Sequence, residues 1–307
     1  MCRGLVFWPE VSHSDILMIE FFVRSAWDSV NADKFLTDFC GDRYGEQSVR
    51  MEKAWREYQP LLVQRVWELD RNDALEQPHQ EYFFNICGIR CLHEWKSAKF
   101  GRWQREASAL ISTAKSAVGT MRALCELEVT AWDDPMLKRD GVDLARSALC
   151  RVLNGHLFAM ICSAKNGEWD EKLYEIYHEE LEALADLLDS HEDYSQEHTL
   201  QLLRAEHPVN DSFETTLKRN LANGYCRSAA SEFVRCLCIP ENELYFSWLR
   251  QTAQEIHVSW PQQAAENLMN DYISRPLSSM RRTQESEPRS AVKRALNALE
   301  SLLQKGM

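Results

Sequence analysis

The chain contains few of the residues that interrupt helices, with only 11 glycines and 9 prolines among 307 residues. Glycine and proline both destabilise helix interiors, so their scarcity favours long helices. Apolar residues recur at helical spacing from Met51 to Leu69, from Val142 to Met160 and from Tyr174 to Leu188. Each of these segments has one apolar face, which needs a partner. The sequence therefore predicts a mainly α protein built as a multi-helix bundle.

An excess of positive charge is also lacking, because 35 Lys and Arg residues face 47 Asp and Glu residues, a net charge of −12. Nucleic acids and anionic membranes reward clustered basic residues, so we expect neither as a partner. No run approaches the roughly 18 uncharged apolar residues of a membrane helix. The segment from Arg3 to Glu10 is too short for the apolar core of a signal peptide. As written, the chain is expected to be cytoplasmic, although a targeting signal would be lost with any missing N-terminal part.

Motifs for cofactors and metals are absent as well. The sequence has no Gly-x-Gly-x-x-Gly, no P-loop and no Gly-x-Ser-x-Gly, and we expect no cofactor. Its ten cysteines are scattered through helical stretches, which favours free buried thiols. Cys87-x3-Cys91-x-His93 and Cys236-x-Cys238 each lack a second ligand pair at zinc-site spacing, so no metal site is predicted. His156 lies on an apolar stripe and is predicted to be a hydrogen-bonded core histidine.

The N-terminal residues have the pattern of a strand that turns into a helix. The apolar run Gly4 to Trp8 ends in Pro9-Glu10, and Ser12 with Asp15 has the spacing of a capping box. In a (β/α)-barrel, carboxylates reach the substrate from this position at the C-terminal end of a strand. A glutamate after a strand can also be simply solvated. Trp8, next to Glu10, would offer an aromatic face to a pyranose ring.

Several segments resemble, in order and approximate spacing, the lysosomal and bacterial α-N-acetylglucosaminidases. They are Glu10 to Trp27, Ala32 to Phe39, Asp42 to Gly45 and Ala54 to Tyr58, with a looser match at Val142 to Arg146, Ala185 to Ser190, Tyr225 to Arg227, Pro240 and Trp248. The resemblance implies that residues 1–30 are the residual C-terminal strand and helix of a (β/α)-barrel. It implies that residues 31–307 are the α-helical C-terminal domain of such an enzyme.

The chemistry that the resemblance implies is retaining hydrolysis of a terminal α-linked N-acetylglucosamine. Glu10 matches the position of the family's nucleophile. The acid/base carboxylate belongs to an earlier barrel strand, so this chain alone is expected to be inactive and to need a chain that supplies the rest of the barrel. The family's Asn-Ala-Arg run leading to Trp-Gly is not recognisable between Phe213 and Tyr225. The alternative is a non-catalytic helical scaffold or interaction module derived from that family.

Arg43-Tyr44-Gly45 has a structural interpretation. Gly45 follows a predicted helix from Ala32 to Asp42 and can adopt the positive φ of a helix C-cap. Arg43 and Tyr44 would then clamp the junction between barrel and bundle.

Turn signals divide the remaining helices. They lie at Arg71 to Pro78, at Trp132 to Pro135, near His207-Pro208 and at residues 275–288, a polar segment predicted to be mobile. Pro240 is expected to end a helix that contains Phe233 and Cys236, before another begins near Tyr245. Pro288 is expected to start the closing helix.

Overall fold

A computed structural model describes residues 16–62, 101–207, 210, 212–222, 230–254, 258–280 and 287–305. Its α-helices are α1 (Ile16–Ser25), α2 (Ala32–Tyr44), α3 (Ser48–Leu62), α4 (Gly101–Cys125), α5 (Pro135–Lys165), α6 (Glu171–Asp189), α7 (Gln196–Glu206), α8 (Ser212–Ala222), α9 (Ser231–Phe233), α10 (Ile239–Gln254), α11 (Gln262–Ser274) and α12 (Pro288–Lys305). Within these ranges the chain forms helices and turns without any strand. The prediction of a mainly α protein is confirmed, whereas the predicted strand Gly4 to Trp8 lies outside the described residues.

Helix α5 is the centre of the bundle. Its start is fixed by Asp134, whose carboxylate accepts hydrogen bonds from the backbone N–H groups of Met136 and Leu137 at 2.9 and 2.8 Å. Pro135 occupies the first turn, where a missing N–H costs little. The apolar stripe predicted along this helix is confirmed, since all of its members are buried: Val142, Ala145, Leu149, Val152, His156 and Met160. Helices α4, α6, α10 and α12 pack around it.

By length and composition α5 could also cross a membrane, but 67% of its most apolar window is buried inside the bundle. A core helix of a large bundle has the same composition, because it is apolar on nearly every side. The packing therefore accounts for its hydropathy.

Helices α2 and α3 form a hairpin that packs on α4 and α5. Asn31 caps α2 by accepting a hydrogen bond from the Lys34 N–H at 3.0 Å. At the other end Gly45 has φ of +51°, as the sequence predicts for this glycine. The positive φ lets the chain turn directly into a short 3₁₀ turn, Gly45–Gln47, and then into α3.

The expectation that Pro240 ends a helix is wrong. The chain stays helical from Ser231 to Gln254 because a π-helical segment, Val234–Cys238, lies between α9 and α10. The wider π-turn accommodates a proline, whose ring and missing N–H disrupt an ordinary α-helical ladder. The Asn242 side chain donates to the Cys238 carbonyl at 2.7 Å and so satisfies one acceptor of this irregular turn.

The other turn signals within the described residues agree with the structure. Helix α7 ends at Glu206, and α12 begins at Pro288. In the predicted mobile segment 275–288, the described residues include Leu277 and Met280, which are buried against the core. The polar composition of that segment did not predict these two anchors.

Cysteines within the described residues are free thiols. Cys40, Cys150 and Cys238 are buried, and Cys125, Cys162 and Cys236 are half-buried. Burial raises the pKa of Cys40 to about 12, so this thiol stays protonated at neutral pH. These six cysteines behave as packing residues.

Candidate functional site

The candidate nucleophile Glu10 and the candidate substrate-binding residue Trp8 lie outside the described residues. The first described element after them is α1, which starts at Ile16. The position of α1 is therefore the described feature closest in sequence to the proposed catalytic residue.

Helix α1 docks on α2 through a small mixed contact. The rings of Phe21 and Phe35 meet edge to face, with centroids 5.1 Å apart. The Arg24 guanidinium lies over the Phe35 ring at 5.4 Å and donates to Asp42 at 3.2 Å. The helix has no fully buried residue, although it is apolar on average. Its docking surface is small for a helix of ten residues.

Arg43 and Tyr44, the residues predicted to clamp a junction, both bind Asp140 near the start of α5. The Arg43 guanidinium donates to the Asp140 carboxylate from both Nε and Nη2, the latter at 3.1 Å to Oδ1. Tyr44 Oη donates to Asp140 Oδ2 at 3.0 Å. Asp140 is 4% exposed, so this is a buried charge with a matched set of donors. The described geometry joins α2 to α5, within the helical bundle.

Trp55 completes this network from α3. Its indole Nε1 donates to Tyr44 Oη at 3.3 Å, while Tyr44 itself donates to Asp140. The Phe39 ring packs edge to face against both Tyr44 and Trp55, with centroid distances of 6.0 and 6.1 Å. Burial, followed by the charge of Asp140, raises the pKa of Tyr44 and keeps the phenol protonated as a donor. The tyrosine thus links three helices through one hydroxyl.

A second buried charge network lies one turn later on α5. Arg146 donates to Asp143 Oδ1 at 2.6 Å, and Tyr194 Oη donates to the same oxygen at 2.7 Å. The guanidinium also lies over the Tyr194 ring at 5.6 Å. This network belongs to the segment Val142 to Arg146, which carries part of the family resemblance. It fixes the 3₁₀ turn Glu192–Tyr194 against the central helix.

In a third network, carboxylates from three turns of α6 surround one guanidinium from the π-helical segment. Arg235 binds Asp189 through Nε at 2.6 Å and Glu182 through Nη1 at 3.2 Å, and it also binds Asp186. Asp186 and Asp189 are buried. The π-turn places Arg235 where one guanidinium pairs with two buried acids, Asp186 and Asp189. The arrangement joins α6 to the start of α10.

His156 is a core histidine, as predicted. Its Nδ1 lies 2.9 Å from Glu180 Oε2, and both side chains are fully buried. The ring meets Tyr177 edge to face at 5.3 Å, and Tyr177 Oη in turn donates to Asn242 at 2.8 Å. The pair is enclosed by α5, α6 and α10. It therefore serves the packing of the core.

Among the described residues, no group of three or more His, Cys, Asp or Glu side chains is arranged to hold a metal ion. Cys236 and Cys238 lie in the π-helical segment, and Cys87, Cys91 and His93 lie outside the described residues.

Comparison of the chain with protein-family models, with curated proteins and with solved structures finds no match.

Sequence reasoning found Arg43 and Tyr44 but missed their partner. Asp140 precedes the apolar stripe of α5 and looks in sequence like one of many surface acids. The only signal was the break at Trp132 to Pro135, which showed that Asp140 lies in the first turns of a helix. A pairing across about a hundred residues depends on tertiary packing, which local patterns do not reveal.

Proposed function

We propose that this chain is the C-terminal part of a retaining glycosidase that acts on terminal α-linked N-acetylglucosamine. Support comes from the convergence of segments that carry the family resemblance. Arg43 and Tyr44 from one segment bind Asp140, just before the segment Val142 to Arg146, and Trp55 from another segment binds Tyr44. Residues that are far apart in the sequence thus share one buried network. That convergence is the observation on which the proposal rests.

In this proposal Glu10 attacks the anomeric carbon of the bound sugar. A retaining mechanism needs a second carboxyl group roughly 5 to 5.5 Å away, which protonates the leaving oxygen. An earlier barrel strand, on a preceding part of a longer polypeptide or on a separate chain, supplies that group and most of the barrel. If the acid and most of the barrel lie outside this chain, as the resemblance implies, we expect no turnover of substrate by the chain alone.

Helix α1 has a specific role in this arrangement. In a (β/α)-barrel, the helix after each strand packs its apolar face on the sheet. Met18, Val23 and Trp27 of α1 and its adjoining turn are exposed, at 49%, 52% and 80%. An apolar surface beside a small docking contact fits a helix whose remaining partner belongs to the rest of the barrel.

The alternative is a non-catalytic helical scaffold or interaction module, which the same exposed surface also favours. The two functions differ in the effect of binding a partner. A glycosidase segment becomes active when the barrel is supplied, whereas a scaffold binds without producing activity.

The test is hydrolysis of an aryl α-N-acetylglucosaminide by the purified chain, alone and mixed with a polypeptide that carries the preceding barrel strands. We expect no turnover from the chain alone and turnover from the mixture. Formation of a stable complex without any turnover would favour the scaffold.

A further inference from the structure

Helix α1 combines a strongly apolar sequence with little burial. Seven of its ten residues are apolar: Ile16, Leu17, Met18, Ile19, Phe21, Phe22 and Val23. None of the ten is buried, although a helix that is apolar on most sides is normally enclosed by other elements. The backbone of α1 also makes no extensive contact with any other described element. Its docking on the bundle therefore buries little of the apolar surface that its sequence offers.

The inner face of α1 covers one aromatic side chain of α2. Leu17 and Phe21 are half-buried against the core, and the Phe21 ring meets the Phe35 ring edge to face at 5.1 Å. Phe35 is 5% exposed, and its ring also packs on Phe39 of its own helix at 6.0 Å. Because Phe39 belongs to α2, that contact stays in place when α1 moves. Helix α1 is thus a strap over Phe35.

Arg24 fastens this strap through interactions near the surface. Its guanidinium lies over the Phe35 ring at 5.4 Å, and its Nη2 donates to Asp42 Oδ2 of α2 at 3.2 Å. The same nitrogen donates to Glu20 of its own helix. The Asp42 side chain is 75% exposed, and ion pairs between exposed side chains stabilise a structure little and are screened by salt. The fastening therefore holds α1 weakly.

The turn between α1 and α2 lets each helix keep its own terminal hydrogen bonds. At the end of α1 the Asp28 N–H donates to the Arg24 carbonyl at 3.2 Å. At the start of α2 the Asn31 side chain accepts from the Lys34 N–H at 3.0 Å. Val30, just before that cap, packs on the core. A rotation of the chain before Val30 therefore moves α1 without breaking either of these bonds.

We propose that α1 opens as a unit from α2 while the rest of the bundle stays folded. Opening exposes Phe35 of α2 together with the inner face of α1. Parts of a fold with few buried apolar contacts open at a much lower cost in free energy than the core does. The inference rests on the described contacts of α1 and does not depend on the glycosidase proposal.

The test is hydrogen–deuterium exchange of the full chain, measured by mass spectrometry on overlapping peptides from α1 and α2. In the unchanged chain we expect the amides of α1 to exchange at least about tenfold faster than those of α2. Opening as a unit gives similar rates along the whole of α1. Fraying would instead give rates that rise toward one end of the helix.

Phe21→Ala tests the contact with Phe35, and Met18→Ala is the matched control. Both changes remove a large apolar side chain from α1, but Met18 is 49% exposed. Phe21→Ala should speed exchange in α1 roughly five- to tenfold, the loss expected when a half-buried aromatic side chain is removed. Alanine is the better helix former, so a weaker intrinsic helix cannot cause this effect. Met18→Ala should leave exchange in α1 nearly unchanged, and both variants should keep the α2 exchange and the melting temperature of the unchanged chain.

Four results would overturn the proposal. The first is exchange in α1 as slow as in α2, and the second is a gradient of rates along α1. The third is a Phe21→Ala variant that exchanges like Met18→Ala. The fourth is a Phe21→Ala variant that fails to fold, melts at a lower temperature or loses protection in α2, because α1 would then be an integral part of the bundle.

Discussion

Tyr44 donates a hydrogen bond of 3.0 Å to Asp140 from 96 residues away in the chain. The same hydroxyl accepts from Trp55, so one oxygen ties α3 to α2 and, through Asp140, to α5. Asp140 also receives the Arg43 guanidinium. Two adjacent residues of the Arg-Tyr-Gly motif thus neutralise and saturate one buried carboxylate.

Tyr44→Phe should destabilise the fold without changing its shape. The variant keeps the ring but leaves Asp140 short of a donor and the Trp55 indole without its acceptor. We expect a loss of about 1–3 kcal/mol in the free energy of unfolding, measured with urea. Tyr174→Phe is the control, because that half-buried ring has no such hydroxyl bond among the described residues. Equal stability of the two variants would show that the network contributes nothing.

Glu232→Gln should loosen α7. The Glu232 carboxylate accepts hydrogen bonds from Ser195 Oγ at 2.7 Å and from the Gln196 N–H at 2.9 Å. It therefore places a negative charge at the N-terminus of α7, where the helix dipole favours one. An amide keeps the shape but places its N–H₂ group near those donors. We expect a loss of about 1–3 kcal/mol in urea unfolding.

Glu175→Gln on the exposed face of α6 serves as the matched control for that change. Faster hydrogen exchange in α7 of the Glu232 variant, with unchanged exchange in α6, would show that the substitution destabilises α7 specifically. Unchanged exchange in α7 would contradict the capping role.

The sequence was sufficient to predict the helices with strong apolar periodicity. The stripe on α5 and the core role of His156 follow from spacing alone, because a buried helix face repeats every three to four residues. The positive φ of Gly45 follows from its place at a helix end. These features are local, and local patterns encode them.

Features that depend on distant packing were not predictable. Pro240 is a helix-breaking signal, but the π-helical segment before it keeps the helix continuous, and no propensity reveals such a turn. The partners of Arg43 and Arg235 are acids on other helices.

Stability should fall as the solution is acidified, in part because of His191. Burial lowers the pKa of this residue below its ordinary value of 6.5, so the unfolded chain binds more protons than the folded chain in that range. The contribution of His191 to stability is therefore present above about pH 6.5 and is lost as the pH falls through its lower folded pKa. The His191→Asn variant has no imidazole at this position and therefore lacks this contribution to the pH dependence of stability.

The measurement is the melting temperature at about pH 7.5 and about pH 5.5. Acidification should lower the melting temperature of the His191→Asn variant less than that of the unchanged chain. His207→Asn changes an exposed histidine and serves as the control. Its melting temperature should fall on acidification by as much as that of the unchanged chain. An identical acid-induced loss in all three proteins would refute the assignment.

The catalytic hypothesis concerns Glu10 and is tested once the rest of the barrel is supplied. If Glu10 is the nucleophile, Glu10→Ala removes the attacking oxygen and leaves room for a small external anion. Its melting temperature should change little, because a catalytic carboxylate usually does not contribute to folding. A structural glutamate would show the opposite pattern, a lower melting temperature with no dependence on an added anion.

The most direct measurement is hydrolysis of an activated aryl α-N-acetylglucosaminide by the chain with its barrel supplied, for wild type and Glu10→Ala, with and without azide. We expect turnover in the wild type, its loss in Glu10→Ala and partial restoration by azide. Absence of turnover in the wild-type assembly would contradict the catalytic hypothesis, as would near-normal activity of Glu10→Ala or an inactive variant that azide does not rescue.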